Sequence, residues 1–246
     1  NNKIDNYQDS FININNNHIT FLKDKEYNLI IKNSNNIKLN ITINKNISIK
    51  LFIQSINNYL DINTHYILNE NSIINISKFY SNELVNEEEI IDLNGEKATF
   101  NSKFSSVSKN DENYHFIINH NNKYTESYIS NKCIASDNSK LNFIIDSILD
   151  KGNTNCIMNQ TTKILTLGNG YAKIEPNMLI NENNVEARHG SVIGTFNYDD
   201  VFYLMSRGIR EKEAIDLLLK GFIFSNLELN MDNKALIYEC IKNIRR

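Results

Sequence analysis

Apolar and polar residues alternate with a period of two through most of this chain. Residues 37–43 (IKLNITI) and 47–53 (ISIKLFI) show the alternation most clearly. A period of two places every isoleucine on one face of a β-strand, and the β-branched side chain suits a pleated surface. The pattern therefore predicts strands, and no amphipathic helical pattern is evident before about residue 197.

The alternation recurs at a spacing of roughly ten residues, with Asn, Gly, Ser or Asp between the strands. Asn94-Gly95 and Asn169-Gly170 predict turns, because both residue types tolerate positive φ. A sandwich, a closed barrel and a β-solenoid all remain open, although the lack of a strict repeat counts against a solenoid. The further strands are predicted over residues 66–68, 73–76, 90–93, 98–104, 116–118, 128–129, 143–145, 164–167 and 178–180.

After about residue 197 the sequence pattern changes from strand-like to helical. Asn197 is predicted to cap a short helix over 198–207, with Asp199 and Asp200 in its first turn. The predicted organisation is a β body at 1–195 and a small helical domain at 196–246. Two further helices are predicted from about Arg210 and Asp232, with apolar stripes formed by Ala214, Leu217, Leu218, Gly221 and Phe222 and by Leu236, Ile237, Cys240, Ile241 and Ile244.

Composition narrows the function classes. The net charge of −3 argues against a nucleic-acid partner, and the apolar runs are too short to span a membrane. The 45 Asn and 38 Ile residues are typical of an AT-rich genome. Three widely spaced cysteines (Cys133, Cys156 and Cys240) fit a reducing compartment rather than a disulfide scaffold.

Common catalytic motifs are absent from the sequence, which contains no P-loop, no Cys-x-x-Cys, no His-Glu-x-x-His and no Gly-x-Ser-x-Gly. The run Glu87-Glu88-Glu89 is interpreted as a solvated strand entry or turn. His189 stands out, because it lies where the β body meets the helical tail. It is either a hydrogen-bonded structural residue or a ligand.

Five segments resemble the SufB/SufD family of scaffold proteins for iron–sulfur cluster assembly, in the family's order and spacing. Residues 91–98 and 120–127 are similar more weakly. The sequence His189-Gly190 resembles the SufD branch most closely. The five segments are 159–167 (NQTTKILTL), 173–180 (KIEPNMLI), 187–194 (ARHGSVIG), 201–209 (VFYLMSRGI) and 213–222 (EAIDLLLKGF).

The resemblance implies a right-handed parallel β-helix core with a C-terminal helical domain, in which Asn residues stack in the turns. It implies a non-catalytic subunit that pairs with a SufB-type subunit or with itself. It also implies a transient iron–sulfur cluster at the subunit interface, with no cofactor bound by the chain alone. His189 is the candidate ligand. Many family members carry a cysteine two residues earlier, where this chain has Ala187.

The helical domain is implied to dock a SufC-type ATPase. Phe202, Tyr203, Arg207 and Gly208 are the candidate contact residues. Arg207 could instead bond carbonyl groups at the helix end, and Phe222 is expected to be packed.

Two alternatives remain. A secreted β-helix carbohydrate-active enzyme would leave the helical tail without a role, and a stand-alone homodimer would lack the thiols of a self-sufficient scaffold. The expected location is a bacterial cytoplasm, with a plastid-type organelle as the alternative.

Overall fold

A computed structural model describes residues 7–8, 12–15, 17–31, 34–56, 59–195, 197–229 and 231–243. Over these residues the chain forms sixteen strands followed by three helices. The strands are β1 (Tyr7–Gln8), β2 (Ile12–Asn15), β3 (His18–Phe21), β4 (Lys25–Ile31), β5 (Ser34–Ile43), β6 (Ser48–Ser55), β7 (Tyr59–Leu68), β8 (Ile73–Tyr80), β9 (Leu84–Leu93), β10 (Thr99–Ser108), β11 (Asp111–His120), β12 (Glu126–Ala135), β13 (Lys140–Leu149), β14 (Cys156–Thr166), β15 (Tyr171–Ile180) and β16 (Val185–Gly194); the helices are α1 (Tyr198–Ser206), α2 (Glu211–Phe224) and α3 (Met231–Asn243).

From β3 onwards successive strands alternate between two sheets, so that each turn of the chain contributes one strand to each. The first sheet has the order β1-β2-β3-β5-β7-β9-β11-β13-β15 and the second has the order β16-β14-β12-β10-β8-β6-β4. From β3 onwards all of the neighbouring strands are parallel. The predicted parallel β-solenoid with C-terminal helices is confirmed, and the sandwich and the barrel are excluded.

The length of a turn varies along the solenoid, from 24 to 31 positions in the second sheet, which explains why the sequence shows no strict repeat. Lys25 pairs with Ile49, 24 positions later. Glu126 pairs with Ile157, 31 positions later. Because strand length changes little after β5, most of the added residues lie in the corners between strands.

Alternation fills the space between the two sheets with aliphatic and aromatic side chains. In β7 every second residue from Leu60 to Leu68 is buried. Phe104 packs against Tyr114, Phe116 and Phe143 with ring centroids 4.9–6.3 Å apart. Burying each such side chain contributes about 1.5–3 kcal/mol, so the interior accounts for most of the stability of the solenoid.

Asparagine side chains bond along the solenoid axis, as predicted from the sequence. Asn121 Nδ2 donates to Asn94 Oδ1 at 2.8 Å, and Asn71 Nδ2 donates to Asn46 Oδ1 at 3.1 Å. Asn46 and Asn71 also adopt positive φ, of 61° and 54°. These asparagines therefore suit the corners between strands, where stacked amide groups form hydrogen bonds with one another.

The predicted turns at Asn94-Gly95 and Asn169-Gly170 lie between strands, but the reason given for them was wrong. Neither glycine is among the residues with positive φ. A Cβ atom on Gly95 would lie 1.9 Å from the backbone nitrogen of Glu70 in the preceding turn. Glycine is needed at this position because two turns approach closely, not because of its backbone conformation.

The three helices follow the last strand. Asn197 caps α1 as predicted, because its Oδ1 accepts a hydrogen bond from the Asp199 backbone nitrogen at 3.1 Å. Gly208, at φ +86°, turns the chain towards α2. In α3, Ile237, Cys240 and Ile241 are buried as predicted, whereas the predicted Ile244 lies outside the described residues.

The predicted apolar stripe of α2 was partly wrong. Ala214 is buried and Phe222 packs, half-buried, against the apolar cluster, as predicted. Leu217 is 46% exposed and Gly221 is also exposed, whereas Leu219 and Ile223 are buried instead. The buried side of α2 packs on the outer face of the second sheet, in one cluster with α3. That cluster contains Phe79, Val107, Ile134, Leu219, Ile223, Leu227, Ile237, Cys240 and Ile241. None of the described helices is long and apolar enough to cross a lipid bilayer.

Candidate functional site

The final strand, β16, is an open edge of the solenoid. Within the described residues it pairs with β14 on one side and is the last strand of the second sheet. Between Glu186 and Ile193 every residue of β16 is exposed. A strand in this position presents unpaired backbone N–H and C=O groups, which a second strand can pair with.

The end of the solenoid that β15 and β16 form is also apolar. Interior-facing residues are half-buried along β15 and exposed from Ala187 to Ile193 along β16, because no further turn among the described residues covers them. Ile193 (46%) lies in this interior-facing row, whereas Val192 (55%) of β16 and Leu179 (56%) of β15 are exposed on the outer faces. The half-buried apolar residues of the last turn are Ala172, Ile174, Met178, Ile180 and Val185.

His189 lies in the middle of β16, the last strand before the helices, which the sequence analysis did not predict as a strand. The strand was missed because its apolar residues are few. His189 is in register with Gln160, which in turn is in register with Ile129. Both of these neighbours are buried in the interior, so His189 occupies the interior-facing row at the open end, where its side chain is exposed.

Gln160 is the buried neighbour of this histidine. Its Nε2 donates to Ser147 Oγ at 2.7 Å. Its Oε1 is buried and has no hydrogen-bond partner among the described residues. One strand below the open end, the interior therefore holds an acceptor that the described chain leaves unsatisfied.

Among the described residues at this end, His189 is the candidate ligand, and the side chains near it offer little else. Ala187 offers no donor atom, and no group of three His, Cys, Asp or Glu residues in the described part of the chain could hold a metal ion. Cys133 is buried, and burial raises the pKa of its thiol to about 12. The buried Cys156 thiol lies 3.3 Å from the Asn122 carbonyl oxygen. Neither thiol is accessible at the open end.

His120 is a structural residue. It is 1% exposed, and its ring nitrogens lie 2.8 Å from Thr125 Oγ1 and 2.9 Å from Ser127 Oγ. Burial lowers the pKa of the imidazole to about 4, so that the ring is neutral. The family-like segment 120–127 is thus a hydrogen-bonded corner, which Thr125 extends to Cys156 Sγ at 3.2 Å.

The helical candidates form an exposed surface on α1. Phe202 and Tyr203 are 64% and 59% exposed. The Arg207 guanidinium lies over the Tyr203 ring at 5.3 Å, and its Nη2 lies 3.4 Å from the Tyr203 hydroxyl oxygen. The Arg207 side chain therefore contacts Tyr203, the residue one helical turn earlier.

Sequence reasoning missed further exposed apolar residues on α1 and on α2. Tyr198 (66%), Met205 (39%) and Leu217 (46%) are exposed as well. The signal was present in the sequence: Tyr198 and Phe202 are four residues apart, which places them on one face of α1.

A buried ionic cluster was also missed. The run Glu87-Glu88-Glu89 was interpreted as solvated, yet Glu87 and Glu89 are 3% and 2% exposed. Lys78 Nζ lies 2.9 Å from a Glu87 oxygen and 3.0 Å from a Glu89 oxygen, inside the solenoid. Strand periodicity explains this burial. Side chains alternate between the two faces of β9, so Glu87 and Glu89 point into the solenoid while Glu88 is exposed.

The fold and these surfaces define a β-solenoid subunit whose final turn and helical tail present apolar residues to solvent. The chain belongs to the SufBD core domain family of the SUF system for iron–sulfur cluster assembly, whose family model matches residues 17–222. The family assignment made from the sequence, nearest the SufD branch, is confirmed.

Two curated bacterial relatives are both named iron–sulfur cluster assembly protein SufD. The protein from Bacillus subtilis is 30% identical over 113 residues, or 46% of this chain and 26% of the relative. The protein from Escherichia coli is 27% identical over 141 residues, or 53% of this chain and 31% of the relative. The matched part of this chain thus spans about a quarter to a third of each relative.

Proposed function

We propose that this chain is a SufD-like, non-catalytic scaffold subunit of iron–sulfur cluster assembly in a bacterial cytoplasm. It pairs with a SufB-type subunit or with a second copy of itself, and it docks a SufC-type ATPase. The observation that carries the proposal is the open final turn, which presents His189 beside an unpaired strand edge. Family membership favours this function over the carbohydrate-active enzyme.

Pairing at the open end follows from the burial pattern. An unpaired edge beside exposed Val192 and Ile193 would promote aggregation unless a partner covered it. A partner strand that pairs with β16 would satisfy the free backbone groups and bury both side chains. The same contact would enclose His189 and the unsatisfied Gln160 acceptor between two subunits.

His189 is proposed as one ligand of a transient cluster at that interface. An Fe–S cluster of the common kinds is held by four protein ligands, and imidazole can replace thiolate at some of them. Because this chain offers one candidate at the end of the solenoid, the partner must supply the others. The cluster is therefore a product that the pair assembles rather than a resident cofactor of this chain.

The α1 surface is proposed as the docking site for the ATPase. Phe202 and Tyr203 are exposed aromatic residues, and Arg207 is held against Tyr203. Aromatic and arginine side chains dominate the binding energy of protein interfaces. Gly208 ends α1 and sets the direction of α2, so its role is to fix the angle between the two helices.

The first experiment is co-purification of this chain with its cognate SufC-type ATPase, with the native mass measured for wild type and for Arg207→Glu. The matched control is Lys212→Glu, which reverses an exposed charge at the start of α2. We expect a stoichiometric complex that Arg207→Glu abolishes and Lys212→Glu retains. No complex with the wild-type chain would overturn ATPase docking, and loss with both variants would overturn the assignment to the α1 surface.

Pairing and ligation are tested separately. The wild-type chain and His189→Ala are mixed with a SufB-type subunit and reconstituted anaerobically with iron and sulfide. We expect both to pair, and the variant to assemble less cluster per pair. If the variant assembled as much cluster as wild type, His189 would not be a ligand. If neither chain paired with the subunit or with itself, the role of the open end would be refuted.

A further inference from the structure

A single buried amide ties the helical region to the solenoid. Asn226, in the loop after α2, is 5% exposed. Its Nδ2 donates to the Phe104 carbonyl at 2.7 Å, to the Ser130 carbonyl at 3.0 Å and to Ser105 Oγ at 3.2 Å. Its Oδ1 accepts from Ser130 Oγ at 2.7 Å. All of these partners lie on two neighbouring strands of the second sheet, β10 and β12.

The other contacts between the loop and the sheet differ in kind. Glu228 pairs with Lys103 at 2.8 Å, and Lys132 Nζ donates to Ser225 Oγ at 2.7 Å, but both contacts are exposed, and exposed polar contacts of this kind contribute little stability. Leu227 joins the apolar cluster under α2. Apolar contact is non-directional, so packed side chains can slide over one another. Hydrogen bonds to fixed carbonyl groups cannot slide, because their strength depends on angle and distance.

The strand register leads from this amide to the open end. Ser130 is in register with Thr161, and Thr161 is in register with Gly190, the residue after His189. Two strand spacings, or about 10 Å, separate β12 from β16. The row of paired residues that begins at Ser130, a hydrogen-bond partner of Asn226, therefore ends at Gly190, next to the candidate ligand His189.

We propose that Asn226 is a positioning residue, which makes α2 and strands β10 to β16 move as one body. Asn226 follows the last residue of α2, Phe224, by two positions. A displacement of α2 is therefore transmitted to β12 and, through the parallel ladder, to the strand that carries His189. This inference rests on the proposed function in one respect, because the ATPase docked on α1 is what would displace α2. The mechanical link itself is a property of this chain.

The link is tested first on the chain alone. Spin labels are placed at Lys212→Cys on α2 and Lys163→Cys on β14, both of which are exposed, while the three native cysteines are buried. The distance distribution between the labels is measured with Asn226 and with Asn226→Asp, which keeps the shape but removes the amide donors. We expect a narrow distribution to become broad, with a second and longer component.

The matched control is Leu227→Val, which trims an apolar contact in the same loop and leaves the amide in place. We expect it to keep the narrow distribution. Should Asn226→Asp fail to fold, Asn226→Ser, which retains one donor, is expected to give an intermediate width. An unchanged width in the Asn226 variants, or equal broadening in Leu227→Val, would overturn the proposal.

A second readout separates positioning from simple stabilisation. Backbone hydrogen exchange of β12 and β16 is compared with and without the nucleotide-bound ATPase. We expect exchange to change in the wild-type chain, and Asn226→Asp to bind the ATPase equally well without that change. An exchange response that persisted in Asn226→Asp would overturn the link. Absence of ATPase binding to wild type would instead refute the proposed function, and the label distances would still decide the role of Asn226.

Discussion

The buried carboxyl group of Glu112 should make this solenoid less stable as the pH rises. Glu112 is 0% exposed, and its Oε2 accepts hydrogen bonds from Ser106 Oγ and the Tyr114 hydroxyl, each at 2.9 Å. Its Oε1 has no partner among the described residues. Burial raises the pKa of this carboxyl from 4.5 to about 8, so the folded chain holds its proton at neutral pH.

The sign follows from proton linkage. A carboxyl whose pKa is higher in the folded state contributes stability that is fully present below pH 4.5 and is lost as the pH rises to about 8. At 1.36 kcal/mol per pKa unit, the total loss is about 3–5 kcal/mol. Of this, about 1 kcal/mol falls between pH 7 and 8.

Two other groups determine which pH window isolates Glu112. Burial also raises the pKa of Glu87 to about 7, against the opposing effect of Lys78, so its contribution is lost mainly below pH 7. The pKa of His120 is lowered from 6.5 to about 4, so it acts in the opposite direction and removes stability as the pH falls below 6.5. Between pH 7 and 8 the remaining slope belongs mainly to Glu112.

The assay is the denaturant midpoint, measured from pH 6 to 8.5 for wild type, Glu112→Gln and the control Glu83→Gln. Glu83 is exposed, so the control removes the same charge without touching the interior. We expect the midpoint of wild type and of the control to fall between pH 7 and 8, and that of Glu112→Gln to stay level. A Glu112→Gln chain that kept the wild-type slope would refute the assignment.

Three further changes test the solenoid. Lys78→Met should lower stability by about 3–5 kcal/mol in a denaturant titration, because Glu87 is then buried without its cation, and adding Glu87→Gln should recover part of the loss. Gly95→Ala should sharply lower the melting temperature, since its Cβ would lie 1.9 Å from a backbone atom, whereas Gly194→Ala meets nothing within 4 Å and should not. Asn121→Ala removes one rung of the amide ladder and should cost about 1 kcal/mol in the same thermal assay.

The strands of the body could be predicted from the sequence because one physical rule governs nearly all of them. In a solenoid both sheets have one interior face, so isoleucine recurs at every second position wherever neighbouring turns cover it. The rule fails at β16, which no further turn follows in the described part of the chain. Its interior-facing row is only partly apolar and consists of Val185, Ala187, His189, Ser191 and Ile193. The candidate site lies where the pattern stops.

The sequence did not predict which buried residues contact each other inside the solenoid, or which face of α2 is buried. The glutamates of β9 look solvated until Lys78, from the preceding strand, is placed beside them. Similarly, the buried side of α2 was misjudged at Leu217, because Leu219 and Ile223 turn towards the second sheet instead. Periodicity predicts how far apart the residues of one helix or strand face lie in the sequence. Which of the faces is buried depends on the neighbouring element that packs against it.

The exposed apolar residues point to where this chain is completed by others. Over the first half of the chain they are few: Tyr59 and Leu84 are neighbours in register and Ile30 is a further one, and small exposed apolar groups are ordinary on a protein surface. From β15 to α2 they are more numerous and fall on two parts of the chain, the final turn and the helices α1 and α2. Contiguous apolar patches mark interaction sites, and an open strand edge adds unpaired backbone groups to one of them. Under the link proposed for Asn226, a partner bound at one of these surfaces would act on a partner at the other through this chain.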